Sequence, residues 1–231
     1  MNRRLALLLV PLAALAALLA LPASAGAIDI KAVTTPRGIK AWLVRDKSTP
    51  ALSLSFSFSG GTASDPVGQS GVTNLMATLL TDGAGDLAAQ AFRQRQEDAA
   101  VSLGFGASLD RLGGRLRVLS ANREEGFELL RLALTAPRFD AEMIDQRRAQ
   151  VIASLNQSNQ RPGSVAGRTL MEAEFPGQPY AADPDGTPAD LKAITREDLR
   201  RRAGDMLIRD GLIVAAVGDI EEAELARLLD R

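Results

Sequence analysis

Leu52, Leu54, Phe56 and Phe58 alternate without a break with Ser53, Ser55, Ser57 and Ser59. A period of two belongs to an extended strand, and here it puts four large apolar groups on one face and four hydroxyls on the other. The chain therefore contains a sheet with one face against a core, and the remaining segments must supply the other wall of that core. Gly60-Gly61 punctuates the end of the strand.

The segments around this strand read as a mixture of both element types. Residues 28–33 and 39–44 are expected as a hairpin around Pro36-Arg37-Gly38, and residues 101–109 and 115–120 as two strands turning at Gly113-Gly114. Between them, residues 71–85, GVTNLMATLLTDGAG, place Val72, Leu75, Met76, Leu79 and Leu80 on one helical stripe. Residues 86–100 form a second helical stretch with Leu87, Ala91 and Phe92 as its inner face. Asn122 reads as an N-cap with Glu124 and Glu125 in the first turn, and this helix runs to Ala136 before Pro137. Asp140 starts another through Leu155, broken at Arg161-Pro162-Gly163, and residues 165–175 are helical again. A turn-rich stretch at 176–188, helix starts at Thr187 and Thr195, a short apolar strand at 212–217 and a terminal helix at 221–231 complete the chain. Strands mixed with consecutive helices, without regular βαβα alternation, imply an α+β fold with a largely antiparallel β-sheet packed with several α-helices.

The N-terminus reads as a targeting segment. Arg3 and Arg4 precede a Leu/Ala run over residues 5–21, and Ala23-Ser24-Ala25 fits a small-x-small cleavage site. We expect residues 1–25 to be a cleaved signal peptide and residues 26–231 a single domain; the competing reading is an uncleaved anchor, since the run approaches the ~18 residues that span a bilayer. Either places the body outside the cytoplasm, with a bacterial periplasm as the expected compartment and the membrane contacted only through that segment. A formal net charge of −1, with no basic run interleaved with aromatics, argues against a nucleic-acid partner.

Chemistry is constrained more severely than fold. The sequence contains 0 His and 0 Cys, which removes the side chains that dominate zinc sites and the usual base of Ser and Cys nucleophiles. Asp183-Pro184-Asp185-Gly186 holds a fragment of a Ca²⁺-loop pattern, but its proline and the missing bidentate Glu favour a turn.

The stretch GVTNLMATLLTDGAG resembles the helix that opens the pitrilysin/insulinase family of zinc peptidases, to which mitochondrial processing peptidase is related, where a Gly and a hydrophobe precede an inverted H-x-x-E-H motif. On that alignment the first metal His falls on Asn74, the general-base Glu on Ala77 and the second metal His on Thr78. APRFD at 136–140, FPGQPY at 175–180, GTPADLKAITREDL at 186–199 and IVAAVGDI at 213–220 are similar to further family landmarks, in family order. The family's fourth site residue, a Glu in an R-x-x-V-x-x-E segment, corresponds to Ser154 after Arg148 and Val151. The resemblance implies a LuxS/mitochondrial-processing-peptidase-like metallohydrolase fold, covers the N-terminal half of such proteins, and leaves their second homologous half absent here.

Zinc needs about three or four N, S or O donors at ~2.0–2.3 Å and its hydrolytic water needs a base; Asn, Thr and Ser are neutral and Ala has no donor. The expectation is a chain that binds no metal and does not hydrolyse peptides by itself. Its implied partner is an active zinc peptidase subunit with an intact H-x-x-E-H motif; the alternative is an independent periplasmic peptide-binding or scaffold protein. In the resembling family an extended peptide pairs with an edge strand beside the metal helix. Gly104, Phe105, Gly106, Ala107 and Ser108 occupy that place, where the glycines would let another backbone approach, or else mark a bulge or bend.

Overall fold

The computed structural model describes residues 28–231, so the signal reading at residues 1–25 lies outside the described residues. The serine-alternating segment is strand β3, Ala51–Ser59, with Leu52, Leu54, Phe56 and Phe58 buried. Burying each such side chain contributes roughly 1.5–3 kcal/mol, so this strand alone pins the register of the sheet.

Around it stand β1 (Ile30–Thr34), β2 (Lys40–Arg45), β6 (Ser102–Ala107), β7 (Arg111–Leu119) and β8 (Ile213–Gly218), and a separate small pair is formed by β4 (Gly83–Ala84) and β5 (Leu87–Ala88). The six-stranded order is β1-β2-β8-β3-β7-β6. Every neighbouring pair is antiparallel except β2 with β8. The last strand in sequence thus enters between the second and third, and its outward and inward residues alternate in phase with theirs.

Eight helices accompany the sheet among the described residues: α1 (Val72–Leu79), α2 (Ala89–Asp98), α3 (Arg123–Thr135), α4 (Ala141–Ser158), α5 (Pro162–Glu174), α6 (Pro188–Ala193), α7 (Arg196–Met206) and α8 (Glu222–Leu229). Leu75 and Met76 of α1, Phe92 of α2, Phe127 and Leu130 of α3, and Leu225 and Leu228 of α8 join the inner face of the sheet in one core. This is the α+β architecture that the residue pattern implied, with the helices on one face and the opposite face open among the described residues.

Several local readings need correction. Gly113 and Gly114 lie inside β7 rather than at its turn; the chain turns at residues 108–110, where the Ser108 N–H donates to the Arg111 carbonyl at 2.8 Å. The reason is tertiary, because a Cβ on Gly114 would sit 2.4 Å from Phe56 Cζ. The helix read over residues 71–85 ends at Leu79, and Gly83-Ala84 turns into the β4–β5 ribbon, which also takes Leu87 from the helix assigned to it. Ala91 faces solvent while Phe92 is fully buried. Asn122 occupies an N-cap position without capping: its side-chain amide donates to the Ala99 carbonyl at 2.8 Å. Pro162 opens α5 as its first residue instead of only breaking the chain, using an N–H that a helix start leaves free anyway.

Candidate functional site

Gly71 caps α1 with φ 89°, a left-handed conformation that favours glycine, and a Cβ there would come 2.6 Å from the Asp185 carbonyl oxygen. Gly186, with φ +82°, makes the reciprocal contact, its added Cβ falling 2.1 Å from the Ser70 carbonyl oxygen. Two glycines therefore let the entry to α1 and the loop at residues 183–187 cross backbone to backbone. That crossing carries Asp185 to Asn74, whose Nδ2 donates to Asp185 Oδ1 at 2.6 Å. The Asp183–Gly186 segment is indeed a turn, closed by the Asp185 N–H donating to Asp183 Oδ1 at 3.0 Å. Burial, with Asp183 nearby, pushes the Asp185 carboxyl above its ordinary pKa.

Asp65 receives the free N–H groups at the start of α1: Gly71 donates to Oδ2 at 2.8 Å and Thr73 to Oδ1 at 3.3 Å. Arg202, reaching across from α7 and only 8% exposed, donates to Thr73 Oγ1 at 2.7 Å, Ser64 Oγ at 2.7 Å, the Gly61 carbonyl at 3.1 Å and Asp65 Oδ1 at 3.4 Å. Desolvation raises the Asp65 pKa despite these donors and lowers that of Arg202 despite Asp65, so burial outweighs attraction for both. At the other end of the helix, Arg147 of α4 grips the buried Asp82 with two parallel bonds, Nε to Oδ2 at 2.5 Å and Nη2 to Oδ1 at 2.8 Å. Arg148 ties the same helix to α6 and the residue after it, donating to the carbonyls of Leu191 and Ile194 at 2.8 Å each. Sequence reading missed both Arg–Asp clamps, because each joins residues 65 to 137 positions apart.

Held this firmly, α1 presents no metal chemistry. Ala77 is buried and donates nothing, and the Thr78 hydroxyl is spent on the Leu75 carbonyl at 2.8 Å. Asn74 is committed to Asp185, and Ser154 is exposed on α4. Zinc is best held by thiolate, imidazole and carboxylate donors, and among the described residues no three His, Cys, Asp or Glu side chains stand close enough to hold a metal ion. The residues at these four positions do not fit zinc.

The predicted peptide-pairing residues Gly104, Phe105, Gly106 and Ala107 lie on β6, the edge strand, which among the described residues is bonded only to β7. Ser108 falls just beyond it, in the β6–β7 turn, because its N–H and hydroxyl are both bonded within that turn, to the Arg111 carbonyl. Phe105 is turned inward against Phe56, ring centroids 5.7 Å apart, whereas Gly104 and Gly106 face outward and a Cβ on either would meet nothing within 4 Å. Neither glycine is demanded by packing within the chain. The loop after α5 comes alongside, the Tyr180 hydroxyl donating to Asp110 in the β6–β7 turn.

Comparison with known proteins bears on this arrangement. No family model matches the chain. A curated protein of Helicobacter pylori, the non-peptidase homolog YmxG, is 27% identical over 168 residues, covering 73% of this chain and 39% of YmxG. The crystal structure of a peptidase M16 inactive domain from Pseudomonas fluorescens superposes with a TM-score of 0.82 at 26% identity, over 87% of this chain and 49% of that one. Pitrilysin itself superposes with a TM-score of 0.75 over 87% of this chain and 22% of its own length, at 16% identity a likeness of fold alone. The chain thus spans less than half the length of each. Fold, ordered landmarks and these matches agree in making the chain similar to inactive members of the pitrilysin/insulinase (M16) family.

Proposed function

We infer that the chain is a non-catalytic subunit that associates with an active zinc peptidase in the periplasm and completes the chamber in which that partner handles peptides. The observation that carries this reading is the contrast within α1. The helix is capped by Asp65, clamped at both ends and packed into the core, yet Asn74, Ala77, Thr78 and Ser154 stand where ligands and base are needed. A scaffold built to this standard around an inert centre suits a role in shape and assembly rather than bond cleavage. Zinc belongs to the partner, and the leader read at residues 1–25 supports export.

The open edge of β6 favours a second reading, an independent periplasmic peptide binder. An extended peptide could add as a further strand there, its backbone bonding to the free edge and passing over Gly104 and Gly106. Co-expression with a His-bearing homologue from the same source separates the two. Stoichiometric copurification, with zinc content and chelator-sensitive peptide hydrolysis only in the complex, supports the subunit reading. Saturable binding of extended peptides by the isolated chain, without any such complex, supports the second. Zinc-dependent hydrolysis by the isolated chain overturns both.

A further inference from the structure

On the core face of the sheet, α3 and α8 are held toward opposite sides. Gly126 seats α3 on β7, where an added Cβ would lie 3.2 Å from Val118 Cβ. The Glu222 carboxylate of α8 accepts from Lys31 Nζ of β1 at 2.6 Å. The central strands β3 and β8, with Phe56 beside Val214 in register, therefore lie under the gap between the two helices. That gap is a cleft of about 210 Å³, floored by Leu54, Phe56, Phe58 and Val214 and walled by Leu134 of α3 and Leu228 of α8. Arg227 donates to Glu124 at the start of α3 and so ties the helices together there. The segment at residues 207–212 lies at the other end, beside the Ser59 end of β3, where exposed Thr135, Ile208 and Arg209 mark the opening.

From Leu54 to Phe58 the strand advances about 13 Å at ~3.3 Å per residue, so the cleft is long and narrow. An apolar cavity of ~150 Å³ is large enough to hold benzene; this one has the room for an organic ligand, and its drawn-out form selects a straight chain over a ring. Asp230, at the opening, defines the head group. Its Oδ2 accepts from the Arg37 N–H at 3.1 Å, while its Oδ1 is buried with no hydrogen-bond partner among the described residues. A buried acceptor left without a donor is costly, and a ligand hydroxyl would satisfy it. We propose that this cleft binds a single-chain aliphatic alcohol or hydroxyl-headed amphiphile, its alkyl chain lying along Leu54, Phe56 and Phe58 and its hydroxyl donating to Asp230 Oδ1. Two of the cations at the opening are already paired, Arg131 with Glu128 and Arg231 with Glu124, each at 2.7 Å. Arg209 makes no ion pair among the described residues, which makes an ionised fatty acid the competing ligand. The cleft is separate from α1 and from the edge of β6, and the inference does not rest on the subunit reading.

Titration calorimetry of the full chain with 1-hexanol, 1-octanol, 1-decanol and 1-dodecanol tests both the chain and the head. Each methylene taken out of water is worth about fourfold in affinity, so octanol is expected to bind about fifteenfold more tightly than hexanol, and the gain is expected to stop once the chain outgrows the cleft. Cyclooctanol, and octanoate at pH 8, are each expected to bind at least tenfold more weakly than octanol. Asp230→Ala is expected to weaken octanol and leave octanoate no weaker. Val214→Phe and Leu134→Trp fill the cleft from its floor and from its wall, and each is expected to weaken octanol at least tenfold with native circular dichroism; Leu134, being half-buried, carries the test where Val214→Phe fails to fold. No saturable binding of octanol, equal affinity for cyclooctanol, octanoate binding more tightly than octanol, or unchanged octanol binding in Leu134→Trp or Asp230→Ala each overturns the proposal. None of these readouts involves peptide hydrolysis or copurification, so the outcome is distinguishable from failure of the subunit reading.

Discussion

Replacing Arg202 by Met removes one end of the clamp that organises α1 while keeping most of the aliphatic bulk. In the native protein that guanidinium serves Thr73, Ser64, Gly61 and Asp65 at 2.7–3.4 Å, and its loss leaves the Asp65 carboxylate buried with only backbone and hydroxyl donors. Breaking one side of a buried ion pair costs about 3–5 kcal/mol, a large part of the ~5–15 kcal/mol that holds a typical domain folded. The cost depends on pH, and its sign follows from Asp65. Burial already raises the pKa of Asp65 in the folded state, and removing the cation raises it further. The folded variant therefore holds a proton that the unfolded chain, with an ordinary aspartate near pKa ~3.9, has released. Its stability falls as pH rises from the unfolded pKa through the raised folded one and is flat above that. Urea denaturation followed by circular dichroism should show Arg202→Met about 3–5 kcal/mol less stable than wild type at pH 8, with the gap narrowing toward pH 5. Asp65→Asn on the Arg202→Met background should remove that narrowing. A deficit below about 1 kcal/mol, or one unchanged across this range, would refute the claim that burial dominates this pair.

Three further outcomes follow from the geometry. Gly114→Ala is expected to lower stability by about 1–3 kcal/mol through overpacking against Phe56, whereas Gly104→Ala, which meets nothing, should leave the melting temperature within a degree or two; equal effects would contradict the assignment of their faces. Gly71→Ala combines a left-handed φ of 89° with a Cβ 2.6 Å from the Asp185 oxygen, and denaturation should reveal a loss of at least ~1–2 kcal/mol. Zinc added to the full chain should not move its melting temperature, although occupancy at 100 times the dissociation constant would stabilise the fold by about 2.7 kcal/mol.

Much of this architecture was legible in local pattern. The Leu/Phe–Ser alternation of β3, the stripe Val72-Leu75-Met76-Leu79 and the capping box at Thr195 with Asp198 report themselves, because each is set by neighbours within a turn or a few residues. The absence of imidazole and thiol groups was equally plain, since no arrangement of a chain without His or Cys restores them. Errors fell where a local signal was overruled by a distant side chain. Gly113-Gly114 looks like a turn and is strand because Phe56, on another strand, occupies the space of a Cβ; Asn122 looks like a cap and instead bonds Ala99 on a neighbouring segment.

By itself, then, the sequence determined the alternation of elements, the buried face of β3 and the neutral side chains at positions 74, 77, 78 and 154, all consequences of side-chain type and short-range period. Only the tertiary structure decided that β8 enters in parallel beside β2, that Asp65–Arg202 and Asp82–Arg147 brace the two ends of α1, and that α3 and α8 part over Phe56 and Val214 at the centre of the sheet. Those depend on contacts between residues far apart in the chain, whose geometry is chosen by packing the whole core at once and leaves no local period to read.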